Sequence, residues 1–541
     1  MKTLIAYLSD YRDRNDYFLS LMPLGALSIA AALEARGHAV TLANYSKEGV
    51  RSAAAHIQSI KPEVVGISVY THNRTDSFRL AAEIRKRLPK TLIVAGGPHA
   101  AFLGEEILRR VKAVDYVVRG EGELALAELL ERGAKRAPAA ARIITGKRIK
   151  DLDALPAPAL FGGAMRGIDP NEQFKYLITS RGCPHRCSFC CSPRLWGRET
   201  AFRSAGRIVD EIEHCVKTHG IIYFSIRDDN FTLRRERVLE FCRLLRERKL
   251  YIMWNCQSRV DTLDEEMVVE MKRAGLEHIQ LGVESGSERI LAMYDKRTTV
   301  ADIERASAAV RRAGAYLSFY LMAGMENERS ADIKKTVELI RRTLPGDGVV
   351  SPVALYPGTA LYDAVKERGD IDDSLWFSSK ENGIYLRDDA EVGRWVHTLV
   401  NELGAIRERS WYREKDFRAH RRVVGGDCWV TDILEGDYYL DGERYDLALD
   451  RYRSAADRYP RNPWPFLRMG KARFMSERYQ EAERDFASVT DIVPAYYGGW
   501  LKRAESLLAL GRREEARECA ERAERLNPYD FRIRNIRKLL K

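Results

Sequence analysis

The chain has 541 residues, 45% of them hydrophobic and 31% charged, with 89 Lys+Arg against 78 Asp+Glu for a formal net charge of +11. That length exceeds what one hydrophobic core organises, so several domains are expected, and no run of about eighteen apolar residues is present to span a bilayer. The surplus of bases is spread through amphipathic stretches beside acids, as in RREEARECAERAERLN, which reads as solvated helix faces and not as a nucleic-acid surface.

The opening MKTLIAYLSDYRDRND has one short apolar segment followed at once by charges, which suits a first buried strand better than a signal peptide, and a cytoplasmic location is expected. Nine cysteines in such a chain do not make a disulfide framework. Four crowd into residues 183–191, whereas Cys215, Cys242, Cys256, Cys428 and Cys519 are scattered and read as small buried residues.

Residues 1–135 alternate short β-branched runs with helical patterns. The runs TLIAYL, AVTLANY, VVGISVY, TLIVAGG and YVVRG predict strands, and LGALSIAAALEARG predicts a helix closed by Gly37. This is the pattern of a doubly wound, Rossmann-like parallel α/β sheet, which binds ligands beyond the carboxyl ends of its strands. Those ends carry SVYTHN (68–73), AGGPHA (95–100) and RGEGE (119–123).

Through PLGALSIAAALEARGHAV, VVGIS, VAGGPHA and VDYVVRGEGE the segment resembles the cobalamin-binding domain at the N-terminus of one large radical S-adenosylmethionine (SAM) class. The resemblance implies a corrinoid held by Ser68, Tyr70, Thr71, Gly96, Gly97, Pro98 and Glu121, with Ser68 on the family's serine turn and Gly96–Gly97 at its nucleotide tail. The DxHxxG motif of other corrinoid proteins is absent: after the first strand the chain reads SDYRDRNDYF. The resemblance then implies a corrinoid bound without histidine on cobalt, and neither His72 nor His99 is expected to be a ligand.

Residues 136–175, rich in Ala, Lys/Arg and Pro, read as a linker. Over 176–365, six strands (YLITS, YFSIRDD, IMWNCQS, HIQLGVE, LSFYLMAG, VVSPVALY) alternate with helices, which predicts a partial (β/α)6 barrel with its chemistry at the strand C-termini. The first strand runs into TSRGCPHRCSFCCSP. Thiolates at Cys-x3-Cys-x2-Cys spacing (Cys183, Cys187, Cys190) can hold three corners of a [4Fe-4S] cubane and leave the fourth iron to chelate SAM. A zinc knuckle would require a second Cys pair downstream, and the scattered cysteines form none.

The motif CxxxCxΦC, with Phe189 as Φ, resembles the radical SAM superfamily, in which that aromatic packs near the adenine. The strand ends RDDNFT (with Asp228), WNCQSRVD (Arg259) and QLGVESGS (Glu284, Ser285) correspond to the superfamily's SAM-binding positions, so the resemblance implies Phe189, Asp228, Arg259, Glu284 and Ser285 as SAM contacts. Taken singly, each could be a structural ion pair or cap.

Residues 366–430 read as a helical, aromatic-rich extension of the barrel, and 431–541 as an all-α tetratricopeptide-like repeat array. Ala448, Ala482 and Ala516 stand 34 apart, as do Pro460, Pro494 and Pro528. Such arrays are largely self-contained, so this one is expected to be separable and to offer a surface to a protein or peptide partner.

Together the cofactor domains resemble the cobalamin-dependent radical SAM class. The resemblance implies an enzyme using a [4Fe-4S] cluster, SAM and cobalamin, with a flavodoxin- or ferredoxin-like reductant. The expected activity is methyl transfer from methylcobalamin to an unactivated carbon by way of a 5′-deoxyadenosyl radical. The alternatives are an oxidative cyclisation or ring rearrangement with cobalamin as electron carrier, or a scaffold protein with a vestigial cluster.

Overall fold

In the computed structural model, residues 1–9, 20–133, 142–378 and 383–540 are described. Beyond Ser9, the SDYRDRNDYF stretch lies outside them, as do residues 136–141 of the expected linker.

The N-terminal unit is a seven-stranded parallel sheet of β1 (Lys2–Tyr7), β2 (Ala39–Asn44), β3 (Val64–Ser68), β4 (Leu92–Gly96), β5 (Tyr116–Arg119), β6 (Ile143–Thr145) and β7 (Ala164–Arg166), in the order β6-β5-β4-β3-β1-β2-β7. Strands buried on both faces need apolar residues at every position, and alternate residues of β1 feed two different cores: Ile5 and Tyr7 one, Leu4 and Ala6 the other. The chain runs from β1 to β2 on one side and then crosses back to β3 on the other, so the sheet's switch point lies between β1 and β3.

The expected linker is corrected here. Its described part supplies both edges of the sheet: Ile143–Thr145 pairs with β5, and Ala164–Arg166 pairs with β2 at the far side. An open sheet edge leaves backbone groups unpaired, and the stretch covers both edges, with Pro158 opening the short 3-10 helix Pro158–Leu160 between them.

The second unit is a six-stranded parallel open barrel of β8 (Tyr176–Leu177), β11 (Tyr223–Ile226), β12 (Met253–Arg259), β13 (Leu276–Glu284), β14 (Tyr316–Ala323) and β15 (Asp347–Pro352), in the order β15-β14-β13-β12-β11-β8. A short antiparallel pair, β9 (Ser180–Arg181) with β10 (Ala201–Phe202), pinches the base of the loop that carries the clustered cysteines. All six expected barrel strands are present.

The extension holds Trp376, Trp395 and Tyr412 buried, while Trp411 is exposed. Trp376 reaches back to the N-terminal unit, where Arg74 stacks on its ring at 5.2 Å and donates to its carbonyl oxygen.

After it come helices Trp429–Asp441, Tyr445–Arg458, Pro463–Met475, Tyr479–Ile492, Tyr497–Ala509, Arg513–Leu526 and Phe531–Leu539, each repeating at a step of 34. Ala448, Ala482 and Ala516 are fully buried at the helix crossings. The self-contained stack is corrected in part: the core of the first two repeats is continuous with the barrel, through Val430, Ile433, Trp464 and Val493, and only the residues from Leu501 onward form a core of their own. Among the described residues no helix is long and apolar enough to cross a membrane.

Candidate active site

The carboxyl ends of the N-terminal strands face the barrel mouth across a cavity of about 1300 Å³. Ser68, Tyr70, Thr71, Gly96, Gly97, Pro98 and Glu121 all line it, as do Tyr176, Arg227, Asp229, Gln257, Gln280 and Tyr320 from the barrel. Gly97 has φ +91°, and a Cβ there would stand 2.7 Å from the Val69 carbonyl oxygen, so only glycine makes this turn beside the cavity. His72 and His99 line the same space. Their rings are engaged locally, His72 Nε2 with the Tyr7 hydroxyl (3.0 Å) and His99 Nδ1 with Thr71 Oγ1 (3.1 Å). Burial, helped by the charge of Arg74, pushes His99 down to about 3, so it is neutral.

Glu121 is buried and faces protein more than cavity. It accepts from Arg148 and from Arg181 Nη1 (2.8 Å), and from the Ile149 amide (3.1 Å). Arg181, on β9, also pairs with the buried Glu123, and both arginines stack on Trp196. This ionic latch fastens the cysteine loop to the N-terminal unit.

Cys183 and Cys187 are buried, Cys190 and Cys191 half-buried, and none is in a disulfide. Burial pushes the Cys190 thiol up to about 12 and raises Cys183 as well. A [4Fe-4S] cubane takes its thiolates at separate corners and so does not require them to converge on one ion. Three unbridged thiols on one short loop fit that donor set, and Arg259 Nη1 lies 3.6 Å from Cys187 Sγ. Cys191 instead lines the cavity.

Arg259 ends β12 with Asp261 as its bidentate partner (2.9 Å to each oxygen) and donates to the Lys296 carbonyl oxygen (2.8 Å). Glu284 ends β13 at φ +67°, a left-handed conformation that costs a side-chain-bearing residue about 1–3 kcal/mol. Its buried carboxylate pairs with Lys296 Nζ at 2.7 Å. The same ammonium lies 5.9 Å from the centre of the Phe189 ring, which is packed edge-on against Tyr294. Phe189, Arg259 and Glu284 are thus gathered around Lys296, which sequence reasoning did not single out. Ser285 is buried beside them, its hydroxyl accepting from the Ser287 amide (3.2 Å).

Asp228 stands apart. Its carboxylate accepts from the amides and hydroxyls of Thr179 and Ser180 at 2.5–3.0 Å and faces Arg237, so it ties β11 to the strand leading into the cysteine loop. The carboxylate on the cavity is the next one, Asp229, which takes a 2.5 Å bond from Ser192 Oγ and is raised by burial.

Residues 17–130 match the family model described as a B12 binding domain, and residues 177–340 that of the Radical SAM superfamily. The anaerobic magnesium-protoporphyrin IX monomethyl ester cyclase of Rubrivivax gelatinosus is 29% identical over 338 residues, 58% of this chain and 60% of that protein. The hopanoid C-3 methylase of Methylococcus capsulatus is 28% identical over 364 residues, 63% of this chain and 68% of that protein. The fold is shared with the radical SAM methyltransferase TsrM from Kitasatospora setae, solved with cobalamin and a [4Fe-4S] cluster bound, at TM-score 0.60 and 17% identity over 84% of this chain and all of that one. The cysteine loop at the barrel mouth therefore lies in a Radical SAM superfamily domain, and the sheet facing it across the cavity lies in a B12 binding domain.

Proposed function

We propose that the protein is a cobalamin-dependent radical SAM methyltransferase acting on an unactivated carbon. The observation that carries this reading is the single cavity bounded on one side by the glycine-turned strand ends of the N-terminal unit and on the other by the barrel mouth, with Cys191 and Asp229 between them.

In this reading Cys183, Cys187 and Cys190 hold the [4Fe-4S] cluster, and Phe189, Arg259, Glu284, Ser285 and Lys296 form the SAM site. Ser68, Tyr70, Thr71, Gly96, Gly97 and Pro98 cradle the corrinoid, and Glu121 supports it through the latch. When bound, the cluster with SAM supplies a carbon-centred radical, and cobalamin supplies a transferable methyl group. The chain itself contributes alignment and exclusion: Arg259 sets the electrostatics at Cys187, Asp228 fixes the loop's base, and the walls keep water and oxygen from the reacting carbon. A flavodoxin- or ferredoxin-like reductant, and a protein or peptide partner on the repeat array, belong to the same proposal.

The second reading is an oxidative cyclisation, favoured by the likeness to the protoporphyrin ester cyclase. Incubation of the reconstituted enzyme with methyl-labelled SAM and a cell extract separates the two. Labelled product with S-adenosylhomocysteine supports methylation, whereas a dehydrogenated product without label in it overturns it.

A further inference from the structure

A closed (β/α)8 barrel fills its lumen with layers of bulky branched side chains. This open barrel carries a polar tier there instead. Arg227 just past β11, Gln257 on β12, Gln280 on β13 and Tyr320 on β14 are all half-buried and line the cavity. Gln257 and Gln280 are register partners on neighbouring strands.

Their hydrogen bonds converge. Gln280 Oε1 accepts from the Tyr320 hydroxyl at 3.1 Å, from Gln257 Nε2 at 3.4 Å and from Arg227 Nη1 at 3.4 Å. Gln257 Nε2 also donates to the Tyr320 oxygen at 2.9 Å. Three donor groups, on β12, on β14 and just past β11, thus point at one carbonyl oxygen, two of them at the long limit of a hydrogen bond. The formal charge of the tier is the guanidinium, held with its face 5.4 Å from the Tyr176 ring, which aims its planar fork.

We propose that this tier anchors the substrate and that it takes an anionic, acceptor-rich group, a carboxylate or a phosphate. An incoming anion replaces a neutral amide oxygen as the acceptor for the same donors, and charge-assisted bonds to a guanidinium are the stronger kind. With its charged end on the tier, the substrate's other end rises towards Asp229 and Cys191 at the cysteine loop, which orients the molecule. This rests on reading the cavity as the reaction chamber.

The test uses the reconstituted holoenzyme with SAM, and propionate and inorganic phosphate as probes followed by ligand-observed NMR. Propanamide and propylammonium serve as neutral and cationic controls. Binding of at least one anion, absence of both controls and about tenfold weaker binding in Arg227→Gln are expected, a charged hydrogen bond being at stake. Arg227→Lys keeps the charge but loses the fork and falls between. Whichever anion binds more tightly names the source of the group. No anion binding, equal binding of propanamide, or unchanged affinity in Arg227→Gln with an intact cluster spectrum overturns the proposal; the propanamide comparison needs no variant and stands if a variant misfolds. Anion binding without any SAM consumption would instead sink the enzymatic reading and leave the anion site standing.

Discussion

Arg181 of the barrel and Glu123 of the N-terminal unit form a buried ion pair, with side chains 10% and 3% exposed, and the same guanidinium also reaches Glu121 at 2.8 Å. One side chain just ahead of Cys183 therefore sets where the cysteine loop stands against the opposite wall of the cavity. Removing one partner of a buried pair strands the other's charge, at a cost of about 3–5 kcal/mol. Arg181→Met should lower stability by that order in anaerobic denaturant unfolding, with Arg181→Lys losing less.

The same pair has a pH signature. Burial alone would raise the Glu123 carboxyl, but the charge and hydrogen bond of Arg181, with that of Ser28, outweigh it and hold the group below its ordinary value. A carboxyl whose folded value is depressed stabilises the fold above its unfolded value of about 4 and loses that contribution as pH falls through the folded value. Unfolding free energy measured from about pH 5 down to about pH 3, a span that brackets the unfolded carboxyl value and continues below it, should fall in the wild type, and more shallowly in Glu123→Gln. Parallel slopes in the two proteins would remove Glu123 from the account.

Single replacements of Cys183, Cys187 and Cys190 by alanine should abolish the thiolate-to-iron absorption of the anaerobically reconstituted protein, and Cys191→Ala should spare it. Cys191 lines the cavity, whereas Cys183 and Cys187 are buried. Loss of the cluster in Cys191→Ala alone would reverse the assignment of the fourth cysteine.

Lys296 shows what was legible in the sequence and what was not. The strand ends Arg259, Glu284 and Ser285 could be found because parallel sheets place function at carboxyl ends, and the 34-residue step of the array is visible in Ala448, Ala482 and Ala516 alone. Lys296 lies beyond a strand end, after the helix Glu288–Met293, and reaches Glu284 only because the chain folds back there. The edge strands Ile143–Thr145 and Ala164–Arg166 were hidden for a related reason: three residues are too few for periodicity, and only a partner strand makes them strands. The Arg181 latch is likewise a contact across domains, invisible to spacing within either one.

If that cluster is the SAM site, Lys296→Met leaves the Glu284 carboxylate buried without its partner, and SAM affinity measured by equilibrium dialysis should fall about ten- to a hundredfold, the worth of a charged hydrogen bond. Glu284→Gly relieves the backbone strain at φ +67°, worth about 1–3 kcal/mol, but strands the buried Lys296 ammonium at a cost of about 3–5 kcal/mol, so stability should fall along with affinity. A Glu284→Gly variant that gains stability would show the strain to outweigh the lost ion pair.

Cobalt should carry no histidine. His99 Nε2 is buried without a hydrogen-bond partner among aromatic rings, and His72 Nε2 is engaged with Tyr7. Bound cob(II)alamin should therefore show no nitrogen superhyperfine splitting in its EPR spectrum. Splitting that disappears in His72→Ala or in His99→Ala would identify a ligand and a rearrangement of that wall.

The repeat array should part from the rest of the chain at one place and not at another. Up to Val493 its helices share the barrel's core, with Tyr251 packed edge-on against both Trp429 and Tyr459, and Arg273 donating to the Val424 carbonyl oxygen at 2.7 Å. Truncation at Gly425 would uncover that apolar surface, so the shortened chain should aggregate on expression. From Leu501 onward the helices have their own core, and side-chain hydrogen bonds tie them to the N-terminal unit, Asn527 Nδ2 to Asp169 at 3.2 Å and Asn171 Nδ2 to the Leu526 carbonyl oxygen at 3.5 Å. Truncation after Pro494 should accordingly give a monodisperse protein that still assembles its cluster and binds cobalamin, because the proposed cofactor residues all lie before 297 and their walls are intact. Whether that shorter protein then loses turnover with a cell extract reads out partner binding by the last repeat, separately from folding. A Gly425 truncation that stays soluble and binds both cofactors would show the shared core to be dispensable and restore the picture of a free-standing array.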